Sequence, residues 1–416
     1  MSQAQDLPQN LPRNLPQNLP QNLKYHDAHR HATWLELFFD LVFVAAISVV
    51  THHLAHLHHD ADGHAHLSLR QLVMFAVAFV PIWWIWASHT LYANRFDTDS
   101  KGYRVWTLGI MFLIATMAAS LGEDLFGHYG RLIGFYVAIR GALATMYLYT
   151  SYLYSSRRRG ESGAGESPSV AFARQMGVAG WVGALISGTS LLADEPLRQA
   201  IFLAGIALEM IAAVLISRRT AVHSVHRSHF VERVGLLSII LLGESVISLV
   251  AGLQKIDWNG ANMTAAATGF LMIGAIWWIY FDSFDVLERT KRMEQGFPLL
   301  YSHVLFAMGL AILANLIRHA IVGEIGMTDF RILAISGMAL FYLGKQITYF
   351  HTLPIYRPNI LINSTVCLAV TVASTFLERP EHALVGMTLG LFFYVYSNVK
   401  WTLTKDASPY LVSEAH

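Results

Sequence analysis

Apolar stretches of about 20 residues, separated by short polar breaks, constrain this chain more than any other feature of its sequence. A helix of that length crosses the roughly 30 Å hydrocarbon core of a bilayer. Only 14% of the residues are charged and 54% are hydrophobic, whereas a soluble domain carries roughly 25% charge. We therefore predict an all-α polytopic membrane protein with about twelve transmembrane helices, at residues 34–54, 69–92, 103–122, 132–153, 170–191, 197–216, 232–253, 263–284, 298–319, 330–350, 359–377 and 382–402.

The distribution of Lys and Arg predicts how these spans are oriented. With twelve spans and a cytoplasmic N-terminus, the cytoplasmic segments hold roughly three times as many Lys and Arg residues as the outer segments. That asymmetry is typical of loops that stay on the cytoplasmic side of a membrane. We therefore expect a multi-pass protein of the cell membrane, in bacteria the inner membrane, with both termini in the cytoplasm.

A tryptophan-rich motif occurs twice and predicts an internal repeat. IWWIW at 82–86 recurs as IWWIY at 276–280, and a glutamate, Glu36 or Glu232, opens the span before each copy. Because each half would hold six spans, the two halves would be parallel and related by an axis along the membrane normal. The predicted organisation is a disordered cytoplasmic tail rich in Asn, Gln, Leu and Pro (1–30), a first six-helix half (31–217), a cytoplasmic linker (218–229), a second six-helix half (230–402) and a short cytoplasmic C-terminal tail (403–416).

Charge, cysteine content and motifs exclude several classes of protein. The net charge of +1 provides no basic field, so no nucleic-acid partner is expected. The single cysteine, Cys367, cannot form an intrachain disulfide, a CxxC zinc site or a thiolate cluster. The chain contains neither a GxSxG nor an HExxH motif. We therefore expect no enzyme activity and no cofactor.

Ionisable side chains inside the spans are the candidate functional residues, because charge in hydrocarbon is costly. Glu36 and Asp40 lie four residues apart on one face of the first span. They are interpreted either as a cation or proton site or as carboxylates neutralised by a buried arginine. Glu244 falls near the middle of the seventh span beside Gly243, which we expect to let another backbone approach closely. For Glu244 we favour ion, proton or ligand handling over a structural pair.

Arg140 in the fourth span adds a buried positive charge. A buried arginine stays protonated and needs a carboxylate partner. The candidate partners are Asp40, Glu209 and Glu244. An ion pair is the favoured role, and an anion-binding arginine is the alternative.

Four further residues remain open between functional and structural roles. Glu232 and Arg233 open the seventh span and can be ordinary interfacial charges. Asp282 follows WWIYF close to the predicted cytoplasmic face, where it either gates a mouth or is simply solvated. Histidine as a residue type titrates near neutral pH, so His303 is a candidate proton relay, although a lone histidine is more often a hydrogen-bonded core residue.

The first outer loop, THHLAHLHHDADGHAH, is unusually rich in histidine. Such a tract can bind zinc, nickel or copper, and its candidate ligands are His52, His53, His56, His58 and His59. The run offers many interchangeable ligands rather than a fixed set. We therefore favour a solvated loop with weak metal affinity over a dedicated metal site.

Four segments, WLELFFDLVFVAAIS, ERVGLLSIILLGES, WWIYFD and YSH, make the sequence resemble the bacterial low temperature requirement A (LtrA) family. The resemblance runs from about His31 to Trp401. It implies an integral membrane protein, and the family name records a growth phenotype in the cold rather than a reaction. The positions that match the family motifs are Glu36, Phe39, Asp40, Glu232, Arg233, Gly243, Glu244, Trp277 and Asp282.

The leading functional hypothesis is a transporter or channel for a small solute or cation, because two parallel six-helix halves with buried carboxylates suit transport. The alternative is a membrane sensor or scaffold that supports growth in the cold, and a membrane enzyme ranks third. The expected partners are the lipid bilayer and a small solute or cation. A homo-oligomer is left open.

Overall fold

The computed structural model describes residues 31–54, 58–59, 65–66, 69–96, 100–122, 127–158, 167–220, 227–256, 258–288, 296–323 and 325–411. Its helices are α1 (Trp34–His52), α2 (Leu69–Phe96), α3 (Lys101–Leu121), α4 (Tyr129–Arg158), α5 (Pro168–Thr189), α6 (Leu197–Thr220), α7 (Arg227–Leu253), α8 (Gly260–Phe281), the short α9 (Phe284–Glu288), α10 (Phe297–Val322), α11 (Met327–Thr352), α12 (Arg357–Ser374) and α13 (Pro380–Ser397). A two-residue pair of antiparallel strands, β1 (His58–His59) and β2 (Ala65–His66), lies between α1 and α2.

The twelve long helices coincide one for one with the twelve predicted spans. Within the residues that the structure describes, eleven of them are long and apolar enough to cross a membrane. The remaining helix, α12, has only 18 residues and includes Asn359 and Asn363. Large apolar side chains such as Phe112, Ile211 and Leu389 are exposed on the outside of the bundle, as expected for a surface that faces lipid. The all-α polytopic membrane fold is therefore confirmed.

The first helix begins where the sequence supplies a complete cap. The Thr33 hydroxyl accepts a hydrogen bond from the Glu36 backbone N–H at 3.3 Å, and the Glu36 carboxylate accepts one from the Thr33 N–H at 2.8 Å. This reciprocal arrangement satisfies two of the backbone donors that a helix start leaves unpaired. It also fixes the Glu36 carboxylate at the beginning of α1.

The same six helix pairings occur in α1–α6 and in α7–α13. In the first group α1 packs on α2 and α3, α6 packs on α2 and α5, and α4 packs on α3 and α5. In the second group α7 packs on α8 and α10, α13 packs on α8 and α12, and α11 packs on α10 and α12. This correspondence supports the predicted repeat, which stays a prediction.

The two copies of the tryptophan motif differ in environment. Trp83, Trp84 and Trp86 on α2 are fully buried, whereas Trp277 and Trp278 on α8 are about half exposed on the surface of the bundle. The buried copy occupies the centre of the bundle, because α2 and α10 are the most buried of the candidate spans. A matching motif therefore does not place its side chains in matching surroundings.

The two groups of helices meet where α1 and α2 contact α7 and α10. Helix occupies both ends of the predicted linker, because α6 continues to Thr220 and α7 begins at Arg227. The predicted N-terminal tail, residues 1–30, lies outside the described residues, as do positions 412–416 of the C-terminal tail. The contact between α1 and α7 carries most of the candidate site.

Candidate functional site

Arg233 of α7 lies between the two carboxylates of α1. Its Nη1 is 3.0 Å from Oε1 of Glu36, and its Nη2 donates to Oδ1 of Asp40 at 2.6 Å. All three side chains are fully buried. The spacing explains the geometry, since Glu36 and Asp40 are one helical turn apart and a guanidinium has donors on several edges.

Two further side chains complete what we call the Arg233 network, which comprises Glu36, Asp40, Trp86, His229 and Arg233. The Trp86 indole N–H donates to Oδ1 of Asp40 at 2.8 Å, and His229 Nε2 lies 3.1 Å from the Glu36 carboxylate. The network holds two carboxylates and one guanidinium. Its charges therefore balance only when His229 carries a second positive charge or one carboxyl carries a proton.

Asn94 and His89 lie beside this network on α2. The Asn94 amide is 3.0 Å from His229 Nδ1 and so fixes the orientation of that ring. His89 is fully buried and stacks on Phe39 with ring centroids 3.9 Å apart. Neither ring nitrogen of His89 has a hydrogen-bond partner among the described residues.

Arg140 of α4 pairs with Glu209 of α6. The guanidinium donates two hydrogen bonds to Oε2 of Glu209, one of them from Nε at 2.8 Å. Trp84 and Tyr136 add donors to the same carboxylate, at 3.3 and 3.4 Å. Of the three candidate partners, Glu209 is the one that the structure brings to Arg140, and this buried pair lies within the first group of helices.

Glu244 of α7 has a different environment from the carboxylates above. Its side chain is only partly buried, and its Oε1 accepts a hydrogen bond from the Ser48 hydroxyl of α1 at 2.5 Å. Within the described segments it has no ion pair. We call Ser48 and Glu244 the Glu244 site.

The expected close approach of a backbone to Gly243 is wrong. A methyl group built at Gly243 would meet no atom within 4 Å, and the residue lies on the exposed face of α7. Close helix packing occurs elsewhere, at Gly309 of α10, where the same methyl group would lie 2.6 Å from the backbone nitrogen of Phe341. A small residue beside a charge within a span therefore did not mark a helix contact here.

The remaining predicted residues are dispersed. Glu232 is about one-third exposed and accepts a hydrogen bond from the Ala32 N–H at 3.2 Å, so it joins the start of α1 to α7. Asp282 accepts a hydrogen bond from Asn398 at 3.4 Å. His303 is buried, with Nε2 3.2 Å from the Ser238 hydroxyl. None of these three contacts the Glu244 site in the described part of the molecule.

For three of the five predicted metal ligands, His56, His58 and His59, the structure describes no side chain. Helix α1 ends at His52, whose Nδ1 lies 2.9 Å from the Ser48 carbonyl oxygen. His56 is outside the described residues, and for His58 and His59 only the backbone strand is described. Across the segments that are described, no group of three or more His, Cys, Asp or Glu side chains could hold a metal ion. The weak metal site stays a prediction.

Sequence reasoning missed Trp86 and His229 as members of the network. A signal for each was present, since His229 precedes Arg233 by one helical turn and Trp86 belongs to the repeated motif. Neither signal shows which carboxylate these side chains contact, because the partners lie on another helix.

Two comparisons with known proteins match most of the chain. A protein of Rhizobium meliloti (strain 1021) named "Uncharacterized protein RA0937" is 25% identical over 336 residues, which cover 76% of this chain and 76% of that protein. The sequence model of the family described as "Bacterial low temperature requirement A protein (LtrA)" matches residues 31–395, which include every helix of the Arg233 network and the Glu244 site. The chain therefore belongs to the bacterial low temperature requirement A protein family.

Proposed function

We propose that this protein transports a small cation, or a solute coupled to one, through a site built on the Glu244 carboxylate. The observation that carries the proposal is the position of that group. Glu244 lies about 14 Å before the end of α7, well inside the span, and no cationic side chain in the described segments neutralises it. A carboxylate at such a depth requires a proton, a bound cation or a water-filled cavity.

The contrast with the other intramembrane carboxylates supports this assignment. Glu36 and Asp40 are held by Arg233, and Glu209 is held by Arg140. These three groups are fully buried and already carry their countercharge. Glu244 is accessible, and among the described residues it has one hydrogen bond, from Ser48, which leaves carboxylate lone pairs for a cation.

The location of the Glu244 site also favours transport. Ser48 and Glu244 are 196 residues apart, the same spacing that separates Glu36 from Glu232 at the openings of the two predicted halves. Equivalent positions of two repeats can touch only near the axis that relates them. Ion and substrate sites of transporters built from repeats typically lie at that interface.

A line of polar groups leads from the site to one membrane face. The Ser48 hydroxyl lies 3.5 Å from Nδ1 of His52, and His52 is exposed at the end of α1, where the histidine-rich loop begins. This arrangement supports access from the side of the membrane that carries this loop, which the distribution of Lys and Arg predicts to be the outside.

Ion flux into proteoliposomes tests the proposal. Purified protein would be exposed in turn to proton, sodium and potassium gradients, and Glu244→Gln would be compared with the unchanged protein. Glu232→Gln is the matched control, because it makes the same substitution in an accessible carboxylate of the same helix. We expect flux of at least one ion in the unchanged protein and in Glu232→Gln, and none in Glu244→Gln.

Two results would contradict the proposal. Ion flux that persists in Glu244→Gln would show that Glu244 of α7 is not part of the ion site. No movement of any of the three ions through correctly inserted protein would favour the alternative, a sensor or scaffold in the membrane.

A further inference from the structure

A groove on the outside of the bundle lies between α11 and α12, and we call it the Arg357 groove. Its volume is about 610 Å³, which falls within the range of roughly 300–1,000 Å³ that small-molecule sites occupy. Four large apolar side chains in its walls are each at least 37% exposed, namely Leu343, Ile347, Phe350 and Leu361. On the outer surface of a membrane protein such side chains meet acyl chains rather than water. The groove is therefore open to an amphiphile from the bilayer.

A fixed arginine lies at one end of the groove. Arg357 is the first residue of α12, and its Nε donates to the Phe350 carbonyl oxygen at 2.8 Å. Its guanidinium carbon lies 4.9 Å from the centre of the Phe350 ring. These two contacts orient the guanidinium, while its two Nη groups have no acceptor among the residues that the structure describes. Unused guanidinium donors suit the oxygens of a phosphate group.

The charge around this end of the groove favours an anionic ligand. His351, the exposed residue next to Phe350, lies there too, and among the described residues no carboxylate lines the groove. The distribution of Lys and Arg predicts that this end of α11 and α12 faces the cytoplasm. Anionic lipids give the cytoplasmic leaflet its negative surface potential, and basic pockets between helices on that side bind lipid headgroups. A cationic end joined to an apolar groove therefore fits an anionic phospholipid.

Two polar groups without partners lie further along the groove. The Ser364 hydroxyl and the Gln346 amide nitrogen are buried in its wall, and neither has a hydrogen-bond partner in the described part of the chain. Ser364 is seven residues beyond Arg357, which corresponds to roughly 10 Å along α12. A buried donor without an acceptor is destabilising. Rotation of either side chain would direct its donor to an ester carbonyl oxygen, and a phospholipid carries such esters between its phosphate and its acyl chains.

We propose that the Arg357 groove binds one anionic phospholipid of the cytoplasmic leaflet. The Nη groups of Arg357 hold the phosphate, and an acyl chain lies along Leu343, Ile347 and Leu361. This lipid site is independent of the Glu244 site, because the two share no residue. Ion flux and lipid binding can therefore fail separately.

Native mass spectrometry of the purified full chain tests the proposal. The chain is freed of lipid in detergent and titrated with phosphatidylglycerol or, in a parallel arm, with phosphatidylcholine, and the apparent Kd of each lipid is measured. Arg357→Gln removes the charge from the groove. Arg218→Gln is the matched control, because Arg218 is an exposed arginine at the same predicted membrane face and lies outside the groove.

We expect saturable binding of phosphatidylglycerol, with a lower Kd than that of phosphatidylcholine, in the unchanged chain and in Arg218→Gln. Arg357→Gln should raise the Kd of phosphatidylglycerol about fivefold, which corresponds to the loss of one basic group near a headgroup. Absence of saturable binding, equal Kd values for the two lipids, or an unaltered Kd in Arg357→Gln would overturn the proposal.

A second variant tests the apolar part of the groove with the charge in place. Leu361→Trp fills the groove from an exposed position, and displacing two methylene groups of the acyl chain would weaken binding about tenfold. Leu389→Trp, at an exposed leucine of α13 outside the groove, is its control and should leave the Kd unchanged. If Leu361→Trp instead separates a dimer and leaves lipid binding unaltered, the groove belongs to a second copy of the chain and the proposal is wrong.

Discussion

The carboxylates at the two ends of the contact between α1 and α7 differ in burial and in countercharge. In the Arg233 network, Glu36 and Asp40 are fully buried and share a guanidinium. About 12 Å further along α1, the Glu244 site offers one serine hydroxyl to a partly buried carboxylate. The difference teaches that acidic residues in a membrane span do not by themselves mark a functional site. Under the proposed function, a carboxylate paired with an arginine is structural, and one without such a partner is the candidate ion site.

The largest expected effect is the loss of Arg233. Arg233→Leu leaves two buried carboxylates without their shared cation, so we expect a loss of about 3–5 kcal/mol in the free energy of unfolding, or failure to accumulate. Thermal unfolding and the amount of membrane-inserted protein measure it. Adding Glu36→Gln and Asp40→Asn should recover much of the loss, while Arg218→Leu, at an exposed arginine, should have little effect. If Arg233→Leu alone is stable, the network does not hold the helices together.

Loss of Arg140 should lower the free energy of unfolding by at most about 3–5 kcal/mol. The loss should not exceed that of Arg233→Leu, because only one buried carboxylate is left unpaired instead of two. Glu209→Gln in the same chain should restore stability, as measured by thermal unfolding. Asp40→Asn and Glu244→Gln serve as the comparison, because neither residue contacts Arg140. Rescue by one of these instead of Glu209→Gln would disprove the observed pair.

Glycine substitutions sharpen the contrast between close packing and an open face. Gly309→Ala should cost roughly 1–3 kcal/mol, since the added methyl group meets the backbone of α11. Gly243→Ala, beside Glu244, should be neutral or stabilise by up to about 1 kcal/mol, because alanine is the better helix former and space is available. Thermal unfolding of the two variants measures both changes in stability. A large loss in Gly243→Ala would show that this face of α7 is covered.

The smallest effect on stability is expected at the Glu244 site itself. Ser48→Ala removes one hydrogen bond from an accessible group, so the free energy of unfolding should fall by about 1 kcal/mol or less, while ion flux should fall clearly. Ser245→Ala is the control, because that hydroxyl donates to the Leu241 carbonyl of its own helix. Thermal unfolding measures the stability, and assays in proteoliposomes measure the ion flux. Equal flux in both variants would separate Ser48 from the ion site.

Much of the fold was predictable from the sequence, because membrane spans depend on local properties. Stretches of apolar residues long enough to cross a bilayer predicted all twelve long helices at the observed positions. The cap at Thr33 and Glu36 is local in the same sense, since donor and acceptor lie within one turn.

The candidate site was predictable only as a set of residue types. The cost of charge in hydrocarbon singled out Glu36, Asp40, Arg140 and Glu244. The partners were not predictable, and the bonds of Trp86 and His229 to the carboxylates of α1 were missed. The expectation for Gly243 failed for the same reason. One residue and its flanking positions do not determine which face of a helix packs against its neighbours.

The sequence by itself therefore determined a polytopic helical protein of the bacterial low temperature requirement A family and the depth of its ionisable groups. Only the tertiary structure decided that Arg233 pairs with Glu36 and Asp40, that Arg140 pairs with Glu209, and that Glu244 has no ion pair among the described residues. The physical reason is distance along the chain. Hydropathy acts over one span, whereas an ion pair between residues 193 positions apart depends on how two separate helices are rotated and packed against each other.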